Sequence, residues 1–160
     1  MTTQVKPIPE NTRSITASLV CLDAARAIDF YKKVFGATEV TRMPGPGGKI
    51  MHAELKIGDS TFYLNDSMSK IPPHYPEAGE SNSMSIHLYV PDVDKIFSAA
   101  VSGGSRVEMP LQDMFWGDRY GKITDPFGQQ WGVATHKEDV APEEMKRRQE
   151  AFFAKAASQR

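Results

Sequence analysis

The chain has 160 residues, of which 40% are hydrophobic and 24% are charged, and its formal net charge is −1. These values are typical of an ordinary globular protein with one domain or two small half-domains, and the lack of a basic stripe argues against nucleic-acid binding. The one cysteine, Cys21, excludes an intrachain disulfide. We see neither a membrane-length apolar run nor an apolar export segment, so we expect a cytoplasmic protein that does not insert into membranes.

The first half is predicted to contain four strands and one helix, after a loose N-terminal arm over 1–13. Apolar residues at helical spacing predict a helix over 24–35, with Asp23 as its N-cap and Gly36 as its C-cap. The strands are predicted over 14–20, 37–43, 49–57 and 60–65, and an irregular turn over 44–48.

A proline-bearing segment over 67–82 predicts a linker, and the second half repeats the order of the first. We predict a strand over 84–90, a helix from Asp92 to about Val101, a strand over 105–109, a loop over 110–113, and a hairpin of strands 120–124 and 130–135. Gly121 and Gly132 lie inside the hairpin strands, where glycine usually marks a bulge, a bend or a close approach.

Each half therefore reads strand, helix, strand, strand, strand, which predicts an α+β fold of two βαβββ modules over 14–66 and 83–136. A C-terminal segment over 137–160 contains a third predicted helix, over 142–157. Because one such module has exposed edges and only one apolar sheet face, we expect the two to form a cupped, partly open barrel. The concave side of such a barrel is a natural pocket for a small-molecule ligand.

Three segments within this repeat resemble the vicinal-oxygen-chelate superfamily, which includes glyoxalase I, bleomycin-resistance proteins and extradiol dioxygenases. They read AIDFYKKVFGA at 27–37, MHAELKIGD at 51–59 and GDRYGKITDPFGQQWGVATH at 117–136. The similarity is greatest to the branch called PhnB-like or glyoxalase-like and covers about 14–136. It implies a homodimer, with a metal site in the enzymes and none in the antibiotic-binding proteins.

In the metal-using members, the resemblance places the ligands on the first and last strands of each half. These positions fall near Thr16, Tyr63, His87 and Gly132 here, so only His87 matches. A site that keeps one of its four expected ligands does not hold a metal ion. We therefore expect a small-molecule-binding protein with a degenerate metal site.

The alternative is a metal-dependent lyase, isomerase or dioxygenase with a non-standard ligand set, and whether the protein is an enzyme stays open. His52 and Glu54 share one strand face, where they form two metal ligands or a base and its orienter, or else belong to a polar outer face or a dimer contact. With His87 they would hold Zn, Ni, Mn or Fe, whereas His87 alone is a polar pocket group or a hydrogen-bonded strand histidine. His136 ends the last strand and is expected to face solvent.

The residues before the hairpin supply further candidate ligand contacts. Trp116 offers a flat apolar wall, and Arg119 a planar fork for a carboxylate or phosphate. In the alternative interpretation Asp118 and Arg119 fix a bend and Trp116 belongs to the core. Tyr63 and Phe115, as aromatic strand residues, complete the predicted ligand-binding set. A third hypothesis is a partner module whose C-terminal helix docks on another chain.

Overall fold

The computed structural model describes residues 6–10, 12–77, 80 and 82–158. The chain forms two compact units, Met1–Tyr75 and Pro76–Arg160. Parts of the predicted N-terminal arm, linker and C-terminal segment lie outside the described residues, at 1–5, 11, 78–79, 81 and 159–160.

The first unit contains one helix and a four-stranded sheet. Its elements are β1 (Ser18–Cys21), α1 (Ala24–Phe35), β2 (Thr38–Pro44), β3 (Ile50–Ile57) and β4 (Ser60–Asp66). The predicted bounds and caps of α1 are confirmed, since the Asp23 side chain accepts a hydrogen bond from the backbone N–H of Arg26 and Gly36 has a φ of 67°. The strand order is β1-β4-β3-β2, with β1 and β4 parallel.

The second unit repeats this arrangement and adds the C-terminal helix. Its elements are β5 (Ile86–Tyr89), α2 (Val93–Ser102), β6 (Arg106–Asp113), β7 (Asp118–Thr124), β8 (Gln130–His136) and α3 (Pro142–Ala157). The strand order is β5-β8-β7-β6, the same as in the first unit. Asp92 caps α2 as Asp23 caps α1. The predicted α+β fold of two βαβββ modules with a C-terminal helix is confirmed.

Three predicted boundaries are wrong. The predicted loop over 110–113 continues β6, because β6 is an edge strand and an edge strand tolerates Pro110, which has no N–H to donate. β1 begins at Ser18 rather than at residue 14, since only Ser18–Cys21 finds a ladder partner in β4. The turn predicted over 44–48 includes the last residue of β2 and a short 3-10 turn, Pro46–Gly48.

The two hairpin glycines show that the second sheet has two different faces. A Cβ on Gly121 would lie 2.7 Å from Cε2 of Phe97, so Gly121 faces α2. A Cβ on Gly132 would lie 2.8 Å from Oη of Tyr120, on the side turned away from α2, which we call the distal face. Both glycines therefore mark close approaches, one of the three alternatives that the sequence left open. Within the described ranges, no helix is long and apolar enough to cross a membrane.

Candidate ligand-binding site

The distal face of the second sheet carries a cavity of about 450 Å³. Side chains from β5, β6, β7 and the β6–β7 loop surround it: His87, Tyr89, Met109, Met114, Trp116, Asp118, Tyr120 and Lys122. Most of these side chains are aromatic or apolar, and a few are polar. A concave apolar surface with few polar groups is the usual composition of a small-molecule site.

Tyr120 is the central side chain of this surface. Its ring lies over Gly132, and it stacks on His87 with a centroid distance of 5.5 Å and an interplanar angle of 9°. Trp116 meets the same ring edge-on at 5.8 Å, and Met114 and Ala134 complete a small apolar cluster around it. The ring can lie there only because residue 132 has no side chain.

Asp118 connects the walls of the cavity through hydrogen bonds. The hydroxyl of Tyr89 and the indole Nε1–H of Trp116 both donate to its Oδ2, at 2.8 and 3.0 Å. Its Oδ1 lies 2.8 Å from Nδ1 of His136, whose Nε2 lies 3.0 Å from Oδ1 of Asp139. The carboxylate is 3% exposed, so these donors supply the hydrogen bonds that water would otherwise make. His136 is exposed, as predicted, but two carboxylates hold it in place.

The ionisation of these groups follows from their contacts. Burial by itself raises the pKa of Asp118, but the hydrogen bonds from His136, Tyr89 and Trp116 outweigh burial, and the net pKa is lowered. The pKa of His136 is raised, chiefly by its hydrogen bond to Asp118 and then by that to Asp139. Burial raises the pKa of Tyr120, so its hydroxyl stays protonated at neutral pH.

Three polar groups of the cavity have no polar partner within the described ranges. They are the ammonium of Lys122, the hydroxyl of Tyr120 and the imidazole of His87, for which we find neither a hydrogen bond nor an ion pair there. Lys122 is half-buried and follows Tyr120 by two residues on β7. Since side chains alternate along a strand, both lie on the distal face.

Of the predicted contacts, the structure brings His87 and Trp116 together and places Arg119 on the face toward α2. The guanidinium of Arg119 makes a bidentate ion pair with Asp94, at 2.7 to 3.0 Å, and lies 3.3 Å from Asp113. These carboxylates raise the pKa of Arg119. Its hydrogen-bonding fork is therefore already occupied by protein side chains.

Phe115 lies in the loop between β6 and β7, so its predicted position on a strand is wrong. Its ring packs edge-on against Trp116 at 5.0 Å and contacts Phe152 and Phe153 of α3 at 5.3 and 6.5 Å. Phe115 thus joins the C-terminal helix to the loop that carries Trp116.

Tyr63, His52 and Glu54 belong to the first unit. The rings of His52 and Tyr63 are 4.9 Å apart, and Glu54 is the cross-strand partner of Tyr63. The structure confirms that His52 and Glu54 share a strand face, since they are two residues apart on β3. Across the described ranges, no group of three His, Cys, Asp or Glu side chains is placed to hold a metal ion.

The predicted ligand-binding set omitted six of the lining residues: Tyr89, Met109, Met114, Asp118, Tyr120 and Lys122. A usable signal exists for two of them, because Tyr89 follows His87 by two residues and Lys122 follows Tyr120 by two. The period of two places each pair on one sheet face. The two methionines contribute through tertiary packing, for which the sequence contains no comparable pattern.

Comparison with known proteins identifies the family. A family model for the Glyoxalase/Bleomycin resistance protein/Dioxygenase superfamily matches residues 14–133. The chain belongs to this superfamily. The resemblance noted from the sequence is confirmed, and the matched segment ends before α3.

Members and structural neighbours of this superfamily include proteins from several bacteria. An uncharacterized protein of Mycobacterium tuberculosis is 41% identical over 135 residues, which are 82% of this chain and 79% of that protein. TioX from Micromonospora sp. ML1 is 29% identical, with a TM-score of 0.61 over 78% of this chain and 99% of TioX. A PhnB protein from Bacillus cereus is 20% identical, with a TM-score of 0.62 over 77% of this chain and 99% of that chain, which shows a shared fold.

The strand registers relate the four positions that the resemblance predicts as metal ligands. Ser18 pairs with Tyr63 in the first sheet as His87 pairs with Gly132 in the second. The repeat of the two sheets therefore makes Ser18, two residues after the predicted Thr16, the counterpart of His87, and both Ser18 and Thr16 carry a hydroxyl. These four positions supply a hydroxyl, a phenol, an imidazole and no side chain, so they do not fit the superfamily's metal centre.

Proposed function

We propose that this superfamily member binds a small molecule with an aromatic group on the distal face of its second unit. The observation that carries the proposal is the ring of Tyr120, which lies over Gly132 and stacks on His87. The Tyr120 ring thus occupies the space that a metal-ligand side chain at position 132 of the last strand would fill. The ligand's ring would stack on this surface, and its burial would supply most of the binding free energy.

The hydrogen bonds of Asp118 support this proposal because they fix the cavity before a ligand arrives. Tyr89 and Trp116 both donate to one carboxylate oxygen, so neither ring is free to turn. A wall that is already ordered loses little conformational entropy on binding. We therefore expect His87, Trp116 and Tyr120 to contact the ligand, and Arg119 to serve the packing of α2 instead.

The proposal includes a degenerate metal site. Only His87, among the four superfamily positions, has a side chain that commonly binds a divalent metal. His52 and Glu54 are the other candidate metal ligands, and both lie on β3. A catalytic metal site usually has at least three protein ligands. The metal-dependent lyase, isomerase or dioxygenase is thus the alternative that the experiments below must exclude.

We also propose that the protein is a homodimer in the cytoplasm, as its superfamily resemblance implies. Size-exclusion chromatography with light scattering tests the first statement directly. A mass of one chain at micromolar concentration would contradict the dimer.

Binding is tested with the two tryptophan indole N–H signals of a ¹⁵N spectrum. Trp116 lines the cavity. Trp131 points to the opposite face of the sheet, where it is 1% exposed and donates its indole N–H to Asp125. A neutral aromatic probe, 2-naphthamide, should shift the Trp116 signal saturably and leave the Trp131 signal in place. No shift of Trp116 up to the solubility limit, or equal shifts of both, would overturn the proposal.

Metal content separates the proposal from the enzymatic alternative. We expect elemental analysis of the purified protein to find divalent metal well below one ion per chain, and 2-naphthamide binding to survive a chelator. One ion per chain that the chelator and His87→Ala both remove would favour the alternative. His74→Ala, in an exposed segment, is the control.

A further inference from the structure

We infer that the ligand of this site is an aromatic carboxylate and that Lys122 determines this specificity by binding its anionic group. The inference rests on the proposed function, since it names the chemical class of ligand for the same cavity. Its starting point is the ammonium of Lys122, which lines the cavity and has no ion-pair partner in the part of the chain that the structure describes.

Two arginines of the second unit show how its cations pair with carboxylates. Arg119 binds Asp94, and Arg148 binds both Glu138 and Glu144, at 2.6 to 2.9 Å. Lys122 is a half-buried residue without such a partner among the described residues. Its ammonium is therefore available to an anion that enters the cavity.

Asp118 also lines the cavity, and both of its oxygens are already held by protein donors. Tyr89 and Trp116 donate to one oxygen, and His136 lies against the other. The hydrogen bond to Asp118 raises the pKa of His136 and so widens the pH range over which that imidazole is charged. Lys122, in contrast, has no such partner among the described residues.

Tyr120 and Lys122 lie two residues apart on β7, so both side chains are on the distal face. Lys122 is directly opposite Gly132, and the Tyr120 hydroxyl sits 2.8 Å from the place of a Cβ on Gly132. Opposite Cβ positions in an antiparallel pair are about 5 Å apart. The two side chains therefore start from neighbouring positions of one sheet face, from which both can donate to one bound carboxylate.

The position of this anion-binding pair relative to the aromatic rings selects the ligand. Lys122 and Tyr120 lie on the same sheet face as the stacked rings, so a ligand ring that stacks there can present an attached anionic group to both donors. The imidazole of His87, which has no hydrogen bond within the described ranges, adds a third donor on the same face. An aromatic ring with an attached carboxylate matches all of these features.

The test compares two probes of equal shape, 2-naphthoate and 2-naphthamide, by titration of the Trp116 indole signal. We expect the wild-type protein to bind the carboxylate about tenfold more tightly, as a charge-assisted hydrogen bond predicts. Lys122→Met should abolish this preference by weakening 2-naphthoate binding about tenfold more than 2-naphthamide binding, whereas Lys122→Arg should retain it. Lys146→Met, on α3, removes the same charge away from the cavity and is the matched control.

The outcomes distinguish the two proposals. Equal affinity of the wild-type protein for both probes, with a clear Trp116 shift, would overturn the carboxylate inference and leave the aromatic site intact. A preference that survives Lys122→Met would overturn the role of Lys122. Failure of both probes to shift Trp116 would overturn the proposed function and the inference with it.

Discussion

Gly132→Ala offers the most direct test of the aromatic surface. The added Cβ would lie 2.8 Å from Oη, 2.9 Å from Cε2 and 3.2 Å from Cζ of Tyr120. Gly132 does not have a positive φ, so alanine fits the backbone and the clash with the ring is the whole perturbation. The Tyr120 ring must therefore leave its place against His87.

The expected cost follows from two opposing contributions. Overpacking a well-packed region costs roughly 1–3 kcal/mol. Replacing glycine by alanine restricts the unfolded chain and offsets about 0.4–1 kcal/mol of this. We expect a net loss of about 1–2 kcal/mol in the free energy of unfolding, which is roughly a 5- to 30-fold change in the folding equilibrium. The assay is urea denaturation, followed by titration with 2-naphthamide, whose binding should weaken.

Gly121→Ala is the matched control, because Gly121 lies on the neighbouring strand and faces α2. Its Cβ would lie 2.7 Å from Cε2 of Phe97 and 3.0 Å from the carbonyl oxygen of Met109. This variant should lose at least as much stability, since a backbone atom yields less than a side chain. It should nevertheless keep the wild-type response of Trp116 to 2-naphthamide.

A double-mutant cycle with Tyr120→Ala identifies the cause. Without the ring, Gly132→Ala should cost little, which gives a coupling energy of about 1–3 kcal/mol between the two positions. The reasoning is refuted if Gly132→Ala is neutral or stabilising. It is also refuted if the two substitutions are additive within about 0.5 kcal/mol.

Three further predictions concern the surroundings of the site. Gly117 has a φ of 98°, and a Cβ there would lie 2.1 Å from the carbonyl oxygen of Glu138, so Gly117→Ala should cost more than about 3 kcal/mol in urea unfolding. A cost below about 1 kcal/mol would contradict that close approach. Because neighbouring carboxylates raise the pKa of His136 above its ordinary 6.5, its contribution to stability is complete below that pH and is lost as the pH rises through the raised value. The stability difference between the wild-type protein and His136→Gln should therefore shrink as the pH rises above about 6.5, and a difference constant with pH would contradict the pairing. Deletion of 141–160 removes the rings that α3 packs on Phe115, so the Trp116 indole signal should shift and 2-naphthamide binding should weaken. An unchanged signal would show that α3 does not support this loop, and a changed oligomeric state would instead favour the hypothesis of a helix that docks on another chain.

The sequence by itself determined the elements whose signals are local. The bounds of α1 and α3 were predicted to the residue, because an N-cap, apolar spacing and a terminal glycine or proline act within a few residues of one another. The repeat of βαβββ units was also readable, since both halves carry these signals in the same order. The position of Gly121 and Gly132 inside strands indicated a bulge, a bend or a close approach, and the structure shows the close approach.

The tertiary structure decided which strand lies at the edge and what each strand face meets. Pro110 continues β6 only because, among the described residues, β6 lies at the edge of its sheet. Consecutive residues of a strand point to opposite faces, so Arg119 and Tyr120 cannot line the same cavity. The cavity itself depends on Trp116 folding over a ring from β7 that rests on a glycine of β8. These contacts join segments far apart in the chain, and no local pattern specifies their register or their face.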